Sequence, residues 1–203
     1  MISIIDYGLG NVGAFKSAYD QLEINSQIIK NSKNLEGSSH IIIPGVGSFD
    51  NAMNQLEEYG FKNILNEIVT AGESKILGIC VGLQIMCKSS SEGTRSGFGW
   101  IDAEVKKIKL ENQKIILPHM GWNSTRVIKK CPLLKDISLM EEFYYLHSYN
   151  LYDTNDFGLA TSKVFYETDL ISSISYKNIF GTQFHPEKSH DQGLKILKNF
   201  SEI

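Results

Sequence analysis

The segment Gly78-Ile79-Cys80-Val81-Gly82 holds the side chain best suited to covalent chemistry. It follows an apolar run, Lys75 to Ile79, and precedes a helical stretch, Leu83 to Met86. That is the strand–turn–helix context of a nucleophile elbow, with cysteine in place of serine. Small residues flank such a turn because a Cβ there would collide with neighbouring backbone once the central residue is forced into a strained conformation. The thiol would project beyond the end of the strand at a helix N-terminus, where unpaired N–H groups and the helix dipole favour thiolate. The same residues also suit a core cysteine between helix-packing glycines. A second segment bears on that choice: Gly181-Thr182-Gln183-Phe184-His185-Pro186-Glu187-Lys188. If extended, it turns His185 and Glu187 to one side, so the carboxylate can orient an imidazole that faces a cysteine supplied from elsewhere. Pro186 fixes one φ between them. A base held by an acid is what a cysteine nucleophile needs. The third segment, Pro44-Gly45-Val46-Gly47-Ser48-Phe49, lets backbone N–H groups turn toward a ligand; with the N–H of Val81 they would serve a developing oxyanion. Alone, it would be only a β-to-α turn.

In this order and over nearly the whole length, the three motifs resemble the class I (triad-type) glutamine amidotransferases. Three further stretches, Asp6 to Asn11, Pro118 to Asn123 and Leu146 to Tyr149, are similar to the branch that serves histidine biosynthesis. Its glutaminase subunits deliver ammonia to the cyclase that makes imidazole glycerol phosphate. The resemblance implies Cys80 as nucleophile, His185 as general base and acid, Glu187 as orienting carboxylate, and Gly45, Val46, Gly47 and Val81 around the oxyanion. It also implies that Gln84 and the Ser148-Tyr149 backbone contact L-glutamine, with no metal and no organic cofactor. A separate synthase subunit of (β/α)8-barrel type would complete a heterodimer, meeting Asn11, Trp122 and Lys188. Two features depart from the branch. Val81 and Leu83 stand where leucine and methionine are expected, and Gly99 to Glu104 with the helix beginning Ala14-Phe15 resemble a paralogous branch. That branch amidates nucleotide-linked sugars for surface polysaccharides, so the acceptor of the nitrogen stays open between the two. A binding module that keeps the fold without turnover is a third alternative; an intact Cys80, His185 and Glu187 set argues against it.

Positioning these residues requires a scaffold, and hydrophobic periodicity supplies its outline. Ile2–Ile5, Gln27–Ile29 and Ile41–Ile43 read as strands, Val12–Leu22 as a helix, and Asp50–Ala71 as a helical region broken near Gly60. Lys75–Ile79 reads as a central parallel strand covered on both faces. After Gly93 strands become short and alternating, at 105–108, 115–117, 143–146, 171–176 and 179–184, followed by a helix over 191–200. The expectation is one α/β domain over residues 1–203: an open, mostly parallel sheet flanked by helices, partly antiparallel in its C-terminal half.

The 203 residues carry 20 Lys+Arg against 23 Asp+Glu, with no basic stripe, which argues against nucleic-acid binding. No apolar stretch approaches a bilayer span and the N-terminus lacks secretory features, so a cytoplasmic location and no membrane partner are expected. Three cysteines, without C-x-x-C spacing, fit neither a disulfide framework nor structural zinc. Gly8-Leu9-Gly10-Asn11-Val12-Gly13 has the form of a dinucleotide fingerprint. The next strand, however, ends Ile29-Lys30-Asn31-Ser32, with no carboxylate for a ribose. His119 and His147 are placed in loops, as hydrogen-bonding or interface residues rather than second bases; His40 and His190 are read as solvated and Cys87 as a core thiol.

Overall fold

Short runs rich in β-branched residues form the first half of the sheet: β1 (Ile2–Ile5), β2 (Ser26–Ile29), β3 (His40–Ile43) and β4 (Lys75–Ile79). The computed structural model describes residues 1–112, 114–153 and 158–203. Its remaining strands are β5 (Ser89–Ser90), β6 (Ala103–Lys107), β7 (His119–Val127), β8 (Met140–His147), β9 (Tyr149–Asp153), β10 (Ala160–Tyr166), β11 (Thr168–Tyr176) and β12 (Ile179–Thr182). The helices are α1 (Val12–Gln21), α2 (Phe49–Glu58), α3 (Phe61–Ala71), α4 (Val81–Gln84) and α5 (His190–Ser201). Among the described residues no helix is long and apolar enough to cross a membrane.

The large sheet runs β2-β1-β3-β4-β12-β11-β10-β7-β8, parallel as far as β12 and antiparallel beyond it. Strands β5, β6 and β9 form a smaller sheet. From β1 the chain steps to one side through α1, and from β3 to the other through α2 and α3. Right-handed crossovers then place these helices on opposite faces. Both faces being covered, β1 is buried at every residue, as are Ile41, Ile42 and Ile43. On one face α5 packs with α1, and the Tyr19 hydroxyl donates to the Leu197 carbonyl at 3.2 Å. The Gly8–Gly13 loop serves the fold directly: the Asn11 side chain accepts from the Ala14 N–H at 3.1 Å and caps α1. Gly60 takes a left-handed conformation between α2 and α3, ending one helix and starting the next where the periodicity breaks.

Residues 115–117 form no strand. The strand of this region begins one residue after Pro118, which has no N–H to give a ladder. Its alternation was illegible because the buried positions, His119 and Thr125, are polar while Met120 and Trp122 are exposed.

Two glycines let β3 and the β4–α4 turn approach within contact. A Cβ on Gly82 would lie 2.0 Å from the Ile43 carbonyl oxygen, and one on Gly45 would lie 2.4 Å from the Gly82 nitrogen. Both obstacles are backbone and cannot swing aside. Gly82→Ala is therefore expected to cost about 3 kcal/mol or more, as overpacking against main chain does. Chemical denaturation checks this, and a variant as stable as the parent would refute the close approach.

Candidate active site

The motif-bearing segments leave the C-terminal ends of three adjacent parallel strands, β3, β4 and β12, so they meet at one edge of the sheet. The β4–β12 ladder reaches the cysteine itself, whose N–H donates to the Thr182 carbonyl at 2.8 Å. Cys80 has φ 54° and ψ −110°, an arrangement that costs a non-glycine residue about 1–3 kcal/mol and persists only where its surroundings impose it. Its Sγ accepts from Gln183 Nε2 at 3.4 Å, lies 3.7 Å from the Leu146 carbonyl, and hydrogen-bonds the His185 imidazole.

His185 Nδ1 lies 2.8 Å from Glu187 Oε1, with the two side chains 1% and 2% exposed. A carboxylate can only accept, so Nδ1 carries the proton and Nε2 is left for the sulfur. The backbone around the ring is clamped to β8. The His185 N–H donates to the Tyr144 carbonyl at 2.9 Å, while Ser189 Oγ donates to the His185 carbonyl at 2.6 Å and accepts from the Tyr144 N–H at 3.0 Å. Burial pushes the His185 pKa down, but the bonds to Cys80 and Glu187 outweigh it and hold the ring at about 10. At neutral pH the imidazole is therefore charged, the state that stabilises a neighbouring thiolate. The local reason differs from the one anticipated. Strand β12 ends at Thr182 and Pro186–Lys188 is a 3-10 turn, so the turn, not strand alternation, carries Glu187 under the ring.

The cleft above Cys80 has a volume of about 230 Å3, below the roughly 300–1,000 Å3 of pockets for drug-sized ligands, and suits a small metabolite. Val46, Gly47, Val81, Gln84, Ser148 and Tyr149 line it. Gly45 lies behind them against the elbow. Val81 opens α4, and the first N–H groups of a helix have no partner within it. Both hydrogens of the Gln84 amide are engaged, with the Tyr149 carbonyl and Gln183 Oε1, each at 3.0 Å. What this side chain can offer a ligand is its oxygen. The Tyr149 carbonyl also accepts from His147 Nδ1 at 2.9 Å, so it is occupied twice over and is not free for substrate.

Glu92, which the sequence reading passed over, also faces the cleft, and is its one carboxylate among the described lining residues. A lone Glu in a Ser/Gly/Thr turn reads as solvated. Here its Oε2 accepts from the Phe49 N–H at 2.8 Å, and Asp50 holds the following turn through the Thr94 and Arg95 N–H groups at 2.9 and 3.0 Å.

Trp122 and Lys188 share one surface beside the site. The indole stacks on His190 (4.9 Å) and meets Tyr144 edge-on (6.2 Å), while the Lys188 ammonium sits 5.4 Å from the Tyr144 ring centre. Asn11 is exposed at the start of α1, a helix that packs against the Pro186–Lys188 turn. His190 is exposed yet stacked. His40 is half-buried against the Phe200 ring at 5.4 Å, which corrects its reading as solvated. Cys87 is fully buried, and burial pushes its thiol pKa up.

A thiol on a strained elbow, a charged imidazole bonded to it, a carboxylate held against that ring and the N–H groups of a helix start around one cleft have the makings of acyl transfer through a thioester. The family description "Glutamine amidotransferase class-I" matches residues 3–203, and the chain belongs to that family. It is 40% identical to the imidazole glycerol phosphate synthase subunit HisH of Leptospira borgpetersenii over 205 residues, covering 100% of both chains. With the HisH of Bdellovibrio bacteriovorus the identity is 42% over 208 residues, again covering both chains fully. Among solved structures, a glutamine amidotransferase superposes with a TM-score of 0.74 at 17% identity, covering 98% of each chain. PurLQS from Thermotoga maritima gives 0.73 at 16%, covering 99% of this chain and 97% of that one. At these identities the two structures establish the fold.

Proposed function

We propose that this chain is the glutaminase subunit of an imidazole glycerol phosphate synthase, hydrolysing L-glutamine and passing ammonia to a cyclase subunit in histidine biosynthesis. The observation that carries the chemistry is the buried line from Cys80 through His185 to Glu187, opening into a cleft of amino-acid scale. Full-length relatives named HisH support the pathway over the sugar-amidating branch.

In this reading the Cys80 thiolate attacks the side-chain carboxamide carbon, and the oxyanion forms against the N–H groups of Val81 and the Val46–Gly47 loop. The His185 imidazolium gives its proton to the departing ammonia. Neutral His185 then activates water, which cleaves the thioester and releases glutamate. Glu92 would pair with the substrate's α-ammonium and Gln84 Oε1 would accept from the substrate, a reading supported by their place in the cleft lining. Ammonia released into neutral water would be protonated and lose the lone pair that makes it a nucleophile, so it must pass directly to its acceptor. The relatives matched over their full length are named as synthase subunits, which supports an acceptor site on a separate cytoplasmic partner, a (β/α)8 barrel docked on the face bearing Asn11, Trp122 and Lys188.

The test is glutamate release from glutamine by the complex with its cyclase, with and without the cyclase's substrate. Glutamine-dependent turnover stimulated by the partner is expected; no glutamate release under any condition would reject the assignment. Trp122→Ala and Lys188→Ala should each blunt partner stimulation while retaining the basal rate. Normal coupling in both would reject this docking face.

A further inference from the structure

His119 and His147 are buried beside the site, and the proposed chemistry assigns neither a role. Far from lying in loops, they open β7 and close β8 and stand opposite each other in the ladder. His119 Nδ1 and His147 Nε2 are 3.0 Å apart. Asn123 Nδ2 lies 3.2 Å from His119 Nε2 at one end, and the Tyr149 carbonyl lies 2.9 Å from His147 Nδ1 at the other.

The direction of every bond in this chain is forced. Backbone carbonyls only accept, so His147 must carry its proton on Nδ1 for Tyr149. The nitrogen of the Asn123 amide is identified by its bond to the Phe165 carbonyl (3.1 Å) and its oxygen by the Ser124 N–H (2.8 Å), so Asn123 donates to His119 Nε2. That leaves His119 Nδ1–H to donate to His147 Nε2. One proton per ring satisfies all three contacts and engages all four ring nitrogens; a second on either ring would set donor against donor. Burial holds both pKa values far below the usual range, His119 at about 4 and His147 at about 3. Stacking between Tyr145 (4.7 Å) and Tyr166 (4.1 Å) fixes the plane of the His119 ring. No ring nitrogen remains free to move a proton, so neither histidine can be a second base.

The Tyr149 carbonyl, the end of this chain, is also the acceptor that sets the polarity of the site's amides. It takes a hydrogen from Gln84, which gives its other hydrogen to Gln183 Oε1; Gln183 is thereby turned to present Nε2 to the Cys80 sulfur. We propose that His119 and His147 are positioning residues. Through the Tyr149 carbonyl they hold the Gln84 oxygen toward the cleft and the Gln183 N–H on the nucleophile. This deepens the glutaminase reading and rests on it for its kinetic arm alone.

Two measurements test it. Long-range 1H–15N spectra of the full chain at pH 7 are expected to show His119 and His147 as neutral rings protonated on Nδ1. An Nε2–H tautomer or a charged ring at either position overturns the proposal, whether or not the protein turns over glutamine. In the kinetic arm, His119→Leu is expected to raise the KM for glutamine about tenfold, equivalent to about 1.4 kcal/mol, with kcat changed less. His119→Asn, whose amide nitrogen takes the place of Nδ1, should recover most of that loss. Unchanged KM in the leucine variant, or equal damage in both variants, refutes the positioning role. Should the leucine variant not fold, Asn123→Ala removes the donor to His119 from the partly exposed end and is read in the same way.

Discussion

Replacing Cys80 with alanine is expected to abolish glutamate release from glutamine, by on the order of 10^4-fold or more, because the covalent intermediate then has no atom on which to form. Cys87 is not placed to take over, being fully buried in the core, and the hydrogen bond to the His185 imidazole is made by Cys80. The cyclase should still work when given ammonium salts at a pH that supplies free ammonia, because the alanine touches none of the residues proposed to meet it. Measuring both activities on one preparation separates lost chemistry from lost folding. Residual glutaminase near the parental rate would remove Cys80 from the mechanism.

Glu187→Gln carries the second large effect. The carboxylate accepts the His185 Nδ1 proton at 2.8 Å and its other oxygen, Oε2, is buried without a hydrogen-bond partner, so its charge acts chiefly on the imidazole. An amide can either accept from Nδ1 or donate to it, so it no longer dictates which ring nitrogen faces the sulfur. By analogy with carboxylate-to-amide changes in serine triads, the loss in kcat should be about 10^2–10^4-fold, with the KM for glutamine little changed. The substitution also has a signature in stability. The folded-state pKa of His185 is raised, from the ordinary 6.5 to about 10, so the native state keeps a proton that the unfolded chain releases first. The stabilisation is full below about pH 6.5, declines as pH rises across that interval, and is gone above about 10. In Glu187→Gln the folded pKa should fall and this decline should shrink. Denaturation at pH 6 and pH 10 in both proteins isolates the difference, because the other alkaline groups are common to both. Parallel pH dependences and an unchanged kcat would reject Glu187 as the orienting group.

The parts of the site legible in the sequence are those whose geometry is set by a few neighbouring residues. Gly78, Gly82 and Cys80 announce a turn that only small flanking residues permit, and the clash distances bear this out. The pairing of His185 with Glu187 was also legible, although a 3-10 turn delivers it instead of an extended strand. Glu92 was not legible, because nothing near it indicates that α2 and the Asp50 contacts fold its turn over the cleft. Nor was the histidine pair: β7 conceals its alternation behind buried polar and exposed apolar residues.

By itself, then, the sequence determined the apolar strands, the amphipathic helices, the strained elbow and a base with its acid, since each depends on steric and hydrophobic preferences acting over a few residues. Only the tertiary structure decided that β12 lies parallel beside β4, bringing Gln183 to the sulfur of a cysteine 103 positions away, and that β7 and β8 pair His119 with His147. Such neighbours are chosen by the burial of whole sheet faces and by backbone pairing between distant segments, and those free energies belong to the assembled fold.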